Sequence, residues 1–374
     1  MAYRWVPLSI AGGRGWGPLP GRVPPTTRHR EAESVILTAI LATRAVEAVR
    51  LMRVLITGVA GFVGRHLAAH LFALGGYEVW GIARSADKDD DLDARVRLVE
   101  ADLRERSAVD ETAKRVSPEA VYHLASQASV ARSLADPLDT ILNNVVGQVN
   151  LFEACARHAP DARILVVGSN EEYGLTHSHE LPISESKELR PISPYAVSKV
   201  TQDLLGHQYF ATHGLQVVRV RPFTHTGPGQ ASLFVTPAFA RQLAEMELGQ
   251  REQRMQVGFL DGQRDFTDVR DVVRGYRLLV ERGEAGDVYN LGSGIPRSVR
   301  SILEGLLELT TVRPAVEVDP SMFRPLEIPV MYADCSKIHA ATGWKAEIPF
   351  EQTLRDVLDD WRQRVREGTA STTD

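Results

Sequence analysis

Tyr195 and Lys199 stand four residues apart in Tyr195-Ala196-Val197-Ser198-Lys199, a spacing that puts both side chains on one face of a helix. A phenol beside an ammonium is a proton-exchanging pair, because the positive charge favours phenolate and draws the tyrosine below its free pKa of about 10. Far upstream, Gly58-Val59-Ala60-Gly61-Phe62-Val63-Gly64 follows the strand-like run Val54 to Thr57. Glycines at that spacing suit a tight turn from strand to helix, where backbone approaches a pyrophosphate lying on the helix N-terminus and its positive dipole end. A bound dinucleotide adds a nicotinamide cation to the tyrosine's surroundings, and the two motifs together point to oxidation of an alcohol or reduction of a ketone. Alone, the glycines could be turn punctuation and the tyrosine–lysine pair an ordinary helix face. Their order and separation carry the reading.

The residues after the second strand bear on which dinucleotide is bound. A carboxylate there hydrogen-bonds the ribose hydroxyls of NAD and repels a 2′-phosphate, but Gly81-Ile82-Ala83-Arg84-Ser85 offers no acid. Arg84 could clamp that phosphate with a charge-assisted pair, and Ser85 could add a hydrogen bond. NADP(H) is therefore the expected cofactor, with NAD(H) as the alternative if Arg84 is only a solubilising surface charge.

These groups need a scaffold, and the hydrophobic pattern supplies one. Strands are predicted at Val54 to Thr57, Glu78 to Ile82, Val96 to Glu100, Ala120 to Leu124, Arg163 to Gly168 and Gln216 to Arg221. Helices are predicted at Phe62 to Leu74, at Pro137 to Arg157 and around Tyr195. Alternating strands and helices, with continuous apolar strands, define an α/β doubly wound parallel sheet covered on both faces. This Rossmann domain is expected over residues 52–223. Beyond it the rhythm loosens, with Gly227-Pro228-Gly229, a helix from Thr236 to Leu248, strand-like Asp287 to Leu291 and a final helix from Gln352 to Val365. A smaller C-terminal substrate-binding lobe is expected over 224–366, with some segments returning to the Rossmann domain and a flexible tail at 367–374. Substrate would lie in the crevice between lobe and strand ends.

Composition removes other classes. The 374 residues are 44% hydrophobic and 24% charged with a net charge of −5, so there is no broad basic footprint for nucleic acid, and no apolar run approaches a membrane span. Two cysteines, Cys155 and Cys335, are too few for a disulfide framework or zinc cluster, and the eleven histidines show no metal-ligand spacing. No metal is expected, His177 and His179 read as solvated loop residues, and the expected location is cytoplasmic. Residues 1–51 differ from the rest: seven Arg and three Glu make this piece +4, leaving −9 for the remainder. Positions 11–27 are rich in Gly and Pro and read as disordered, and Met52 is the expected natural start.

Several stretches carry a resemblance. The Gly58, Gly61, Gly64 spacing, Ser169-x-Glu171-Glu172-Tyr173-Gly174, Ser193-Pro194-Tyr195-x-x-x-Lys199, Arg264-Asp265-Phe266 and Arg324-Pro325-x-Glu327 resemble the extended short-chain dehydrogenases/reductases acting on nucleotide sugars, over roughly Met52 to Arg366. Within that family, His225-Thr226-Gly227-Pro228-Gly229-Gln230, Phe234-Val235-Thr236, Asp265-Phe266-Thr267-Asp268-Val269, Tyr289-Asn290 and Thr342-Gly343-Trp344-Lys345 are most similar to the reductases that make GDP-D-rhamnose from GDP-4-keto-6-deoxy-D-mannose. The resemblance implies a homodimer and a GDP-linked keto sugar as substrate. It also implies a Ser169, Tyr195, Lys199 catalytic set, in which Ser169 would bond the substrate carbonyl, Tyr195 supply the proton and Lys199 hold the nicotinamide ribose. Cofactor contacts are implied at Phe62 and Val63, at Asp102 and Leu103 beside adenine, at Leu124, Ala125 and Ser126 beside the pyrophosphate and ribose, and at Asn144 and Pro222. Asn144 also reads as a helix cap or buried amide. On the substrate side the resemblance implies diphosphate contacts at Arg264 and Arg324, whose planar guanidinium suits paired phosphate oxygens, and Glu327 near the ribose or guanine. Ser129, Thr224, Gln230 and Val235 would touch the sugar nucleotide.

Glu171 keeps an alternative open. In the family's 4,6-dehydratases a glutamate here removes the proton next to the keto group, and the reductases can carry it too. GDP-mannose 4,6-dehydratase is therefore the runner-up and a 4-epimerase the third reading. Against the dehydratase, Ala86-Asp87-Lys88-Asp89-Asp90-Asp91 lacks the basic arm with which that enzyme embraces a neighbour's cofactor. Thr224 replaces a common Asn, and Asn170 stands where dehydratases usually carry Asp or Ser. A non-catalytic nucleotide-binding regulator is disfavoured because Ser169, Tyr195 and Lys199 are all present.

Overall fold

The computed structural model describes residues 50–84, 92–323 and 328–369. Nearly all of the N-terminal extension, Ser85, the acidic run Asp87 to Asp91, Arg324, Glu327 and the last five residues lie outside the described part.

Seven strands, β1 (Met52–Thr57), β2 (Tyr77–Ala83), β3 (Arg97–Glu100), β4 (Ala120–His123), β5 (Arg163–Val167), β6 (Gln216–Pro222) and β7 (Val288–Leu291), form one sheet in the order β7-β6-β5-β4-β1-β2-β3. Every neighbouring pair is parallel. The helices in chain order are α1 (Phe62–Leu74), α2 (Arg106–Val116), α3 (Val130–Ala135), α4 (Pro137–Ile141), α5 (Gly147–His158), α6 (Pro194–His213), α7 (Val235–Glu247), α8 (Val269–Arg282), α9 (Val299–Glu308), α10 (Ser336–Thr342) and α11 (Phe350–Glu367).

The period of two in β1 shows why the sheet is covered twice. Val54 and Ile56 face a core with Leu67 and Leu71 of α1, Val272 and Tyr276 of α8 and Ile338 of α10. Leu55 faces the opposite core with Val109 of α2, Phe152 and Cys155 of α5 and Tyr209 of α6. Strand order reverses where β1 meets β4, and the chain leaving β1 to one side and β4 to the other opens a crevice at their carboxyl ends.

Several elements differ from expectation. The predicted helix from Pro137 to Arg157 is α4 and α5 joined by a π-helical turn, Leu142–Val146, an irregularity invisible to a 3.6-residue period. Helices α2, α3, α8, α9 and α10 were not foreseen. The strand at Asp287 to Leu291, grouped above with the lobe, is β7 and extends the Rossmann sheet beside β6.

The remaining chain makes a lobe in which α7, α9 and α11 pack around Phe239, Leu243, Leu306, Leu358 and Trp361. Buried polar anchors join it to the sheet. Asp268 caps α8 and accepts from Thr353 of α11 at 2.8 Å. Trp344, 1% exposed, donates its indole N–H to the Asp271 carbonyl at 2.9 Å. Asp265 accepts from the backbone of Ser293, Gly294 and Ala333 at 2.7, 2.9 and 3.1 Å, so the acid of Arg264-Asp265-Phe266 is structural.

Candidate active site

At the carboxyl end of β1 the chain turns through Gly58 with φ +71°, where a Cβ would lie 2.9 Å from the backbone of Ala125. Only glycine fits this close approach. Helix α1 then starts at Gly61 with no side-chain cap and no acid in its first turn, so its leading N–H groups and dipole remain available to an anion. Beside this turn lies a cavity of about 190 Å³ lined by Gly58, Gly61, Arg84, Asp102, Leu103, Ala125 and Ser126 from the sequence prediction, together with Ala60, Ile82 and Asn143. A glycine turn, an open helix end and a guanidinium at the cavity fit a dinucleotide bearing a 2′-phosphate. Arg104 holds the Asp102 carboxylate by paired bonds at 2.6 to 3.1 Å and, with more distant Arg84, keeps its pKa below the usual range.

Other cofactor candidates fall just outside this cavity. Phe62 stacks on His225 at 6.3 Å and meets His66 edge-on at 5.4 Å, while Val63 packs on the sheet core. Leu124 directly follows β4, and the buried Pro222 ends β6. The structure does not bring the Asn144 side chain to the cavity. It is 1% exposed, accepts from the Gln127 N–H at 2.7 Å and donates to Ser198 Oγ at 2.9 Å. The π turn carries the preceding residue, Asn143, to the cavity instead.

The catalytic candidates converge from β5 and α6. Ser169, just beyond β5, caps a 3₁₀ turn at Asn170–Tyr173 and accepts from the Glu171 N–H at 3.2 Å. Ser193 caps α6, Pro194 occupies its first turn, and Tyr195 follows. The Ser169 side chain faces Tyr195 and lowers the phenol's pKa. Lys199, one turn later, donates to the Val167 carbonyl at 2.9 Å, with its Nζ 5.9 Å from the Tyr195 ring centre.

Protonation runs against the sequence expectation in one respect. Burial raises the pKa of Tyr195, the Ser169 hydrogen bond offsets part of this, and Glu171 and Glu172 raise it further. Burial pushes Lys199 down to about 8, while Glu172 acts the other way. In the protein's own field desolvation therefore sets the direction of the phenol's shift.

The substrate candidates are more scattered. Arg264 reaches the carbonyl of Ile328 at 2.7 Å, next to the segment holding Arg324 and Glu327. Gln230 is 5% exposed and spends its amide inside its own loop, accepting from Thr226 at 2.6 Å and donating to the His225 carbonyl at 3.2 Å. The Ser129 hydroxyl accepts from the Arg132 N–H as the cap of α3. Thr224 is half-buried behind β6, and Val235 opens α7 and packs on the lobe core. Among the described residues no group of three or more His, Cys, Asp or Glu could hold a metal ion.

Sheet, glycine turn and Ser–Tyr–Lys set describe a nucleotide-sugar oxidoreductase of the extended short-chain type. The chain belongs to that family, in the branch described as GDP-mannose 4,6 dehydratase, which matches residues 55–357. It is 36% identical over 84% of its length to the GDP-6-deoxy-D-mannose reductase of Pseudomonas aeruginosa, covering 99% of that protein. It is 29% identical to the GDP-mannose 4,6-dehydratase of Sinorhizobium fredii, over 78% of this chain and 92% of that one. The solved structure of RMD from Pseudomonas aeruginosa complexed with NADPH covers 84% of this chain and is itself covered to 99%, with a TM-score of 0.74 at 36% identity.

Proposed function

We propose that this protein reduces the C4 ketone of GDP-4-keto-6-deoxy-D-mannose to GDP-D-rhamnose with NADPH. The observation that carries the reading is the 36% identity to a GDP-6-deoxy-D-mannose reductase across 99% of that enzyme. NADPH, when bound, supplies the hydride that C4 accepts. Tyr195 gives its hydroxyl proton to the carbonyl oxygen as that oxygen gains charge, and Ser169 donates a hydrogen bond to the same oxygen. A raised tyrosine pKa supports this direction, because a proton donor must hold its proton at neutral pH until the ketone is reduced. Lys199 holds the nicotinamide ribose and places positive charge beneath the phenol. Arg84, with Ser85, grips the 2′-phosphate, and Arg264, Arg324 and Glu327 hold the GDP moiety. The test is NADPH oxidation with GDP-linked, dTDP-linked and UDP-linked keto sugars, with turnover expected for the GDP sugar.

A second reading, GDP-mannose 4,6-dehydratase, is favoured by Glu171, whose charge is felt by Tyr195. A dehydratase recycles its nicotinamide and converts GDP-mannose without added reductant.

The same proposal includes a homodimer. Val197 and Leu204 on the outer face of α6 and Leu134, Leu138 and Leu142 on the neighbouring turns are 43% exposed or more, Leu138 reaching 68%, an apolar face suited to a second copy. Light scattering of Leu204→Glu is expected to show a monomer. Among the described residues no helix is long and apolar enough to cross a membrane, and a cytoplasmic location suits an enzyme consuming NADPH.

A further inference from the structure

Glu172 is fully buried and belongs to none of the roles above. Its Oε1 accepts the Ser169 N–H at 2.7 Å while Ser169 Oγ accepts the Glu171 N–H, so two bonds lock the turn from both ends. The carboxylate presses against Gly168, where any Cβ would collide with it. Its Oε2 lies 3.2 Å from Arg221 Nε, which itself donates to Asp203 of α6 at 2.7 Å. Arg221 also donates to the Tyr173 hydroxyl at 3.1 Å. Asp203 is shared between Arg221 and the neighbouring Arg219, so the buried cluster holds two guanidinium groups and two carboxylates, of which Glu172 is the second. Burying the cluster costs desolvation that apolar side chains would avoid, and Glu172 is the carboxylate in it that also holds the Ser169 amide.

We infer, on the reductase reading, that Glu172 is a positioning residue: it fixes the turn that aims the Ser169 hydroxyl at the substrate carbonyl and ties that turn to the helix bearing Tyr195 and Lys199. The charged and titratable groups facing it are Asp203, Lys199 and Tyr195 from α6, Arg221 from β6 and Tyr173 of its own turn. Burial and Asp203 push the Glu172 pKa up while Arg221, the Ser169 amide and Lys199 hold it down, and when ionised it raises the proton affinity of Lys199 and Tyr195. The carboxylate is thus both strut and charge.

Two variants separate these parts. Glu172→Val removes the acceptor, and kcat is expected to fall by about 10-fold or more through misaimed Ser169, with NADPH affinity unchanged and faster hydrogen exchange at the Ser169 amide. Glu172→Gln keeps an acceptor and should recover most of kcat, while the alkaline limb of the kcat profile moves to lower pH by roughly half a unit because the negative charge is gone. Wild-type kcat and amide exchange in Glu172→Val overturn the inference. So does a rate loss that merely follows a fall in Tm and NADPH binding, or an alkaline limb unmoved in Glu172→Gln. Amide exchange needs no substrate, so a wild-type protein inert toward the keto sugar, yet losing Ser169 protection in Glu172→Val, sinks the reductase reading and leaves the positioning of Ser169 standing.

Discussion

The cofactor side of the cleft is built from backbone, and the substrate side from side chains on loops. At the carboxyl end of β1, a glycine turn and the uncapped start of α1 present N–H groups whose directions are fixed by the seven-stranded sheet. Across the cleft, Arg264 sits on a three-residue strand and leans on the Ile328 carbonyl, while Gln230 and Ser129 spend their polar atoms on their own loops. The difference teaches that the dinucleotide side is held by backbone, whereas on the proposed reading sugar recognition would rest on side chains such as Arg264 that a substitution could redirect. Tyr195 and Ser169 sit at the junction of the two.

The comparison can be broken hardest at that junction. Tyr195→Phe is expected to lower kcat by about 10²-fold or more with NADPH binding retained, since only the proton donor is lost; stopped-flow NADPH oxidation and fluorescence titration of the cofactor measure both. On the backbone side, Gly58→Val adds a side chain against Ala125 at a positive φ that costs roughly 1–2 kcal/mol even without the clash. NADPH affinity measured by titration should fall by about 10-fold or more. Arg84→Ala sharpens the contrast, because it removes one side chain from a site made of backbone. Its kcat/KM for NADPH should drop about 10-fold, with the value for NADH nearly unchanged, and equal losses would place Arg84 elsewhere.

A gentler test uses pH. Burial has brought Lys199 from 10.5 down to about 8, so its positive charge is present below that pH and lost as pH rises through it. The kcat profile is therefore expected to fall on the alkaline side of about 8, while NADPH affinity changes less.

What the sequence made legible follows the same division. The glycine turn and the Tyr195–Lys199 face are local, set by spacing along one strand–turn–helix and one helix, and both could be read without the fold. Asn144 is the buried amide that its sequence position also allowed, and it lies in a π turn whose Asn143 lines the cavity. No hydrophobic period reveals such a turn. Nothing in the chain shows that the Gln230 amide bonds Thr226 and the His225 carbonyl. The partnership of Glu172 with Arg221 and Asp203, and the stacking of Phe62 on His225, join residues far apart in sequence. Only the folded sheet brings them together.

The central claim is that this site delivers hydride to a ketone and does not remake its own cofactor. The direct measurement is an NADPH-coupled assay on GDP-4-keto-6-deoxy-D-mannose and on GDP-mannose, with Glu171→Gln alongside the wild type. The account predicts one NADPH consumed per keto sugar, no reaction of GDP-mannose, and most of the rate surviving in Glu171→Gln because Tyr195 and Ser169 handle the carbonyl. Conversion of GDP-mannose to its 4-keto product with no net NADPH oxidation, abolished by Glu171→Gln, would contradict it and make the protein a dehydratase.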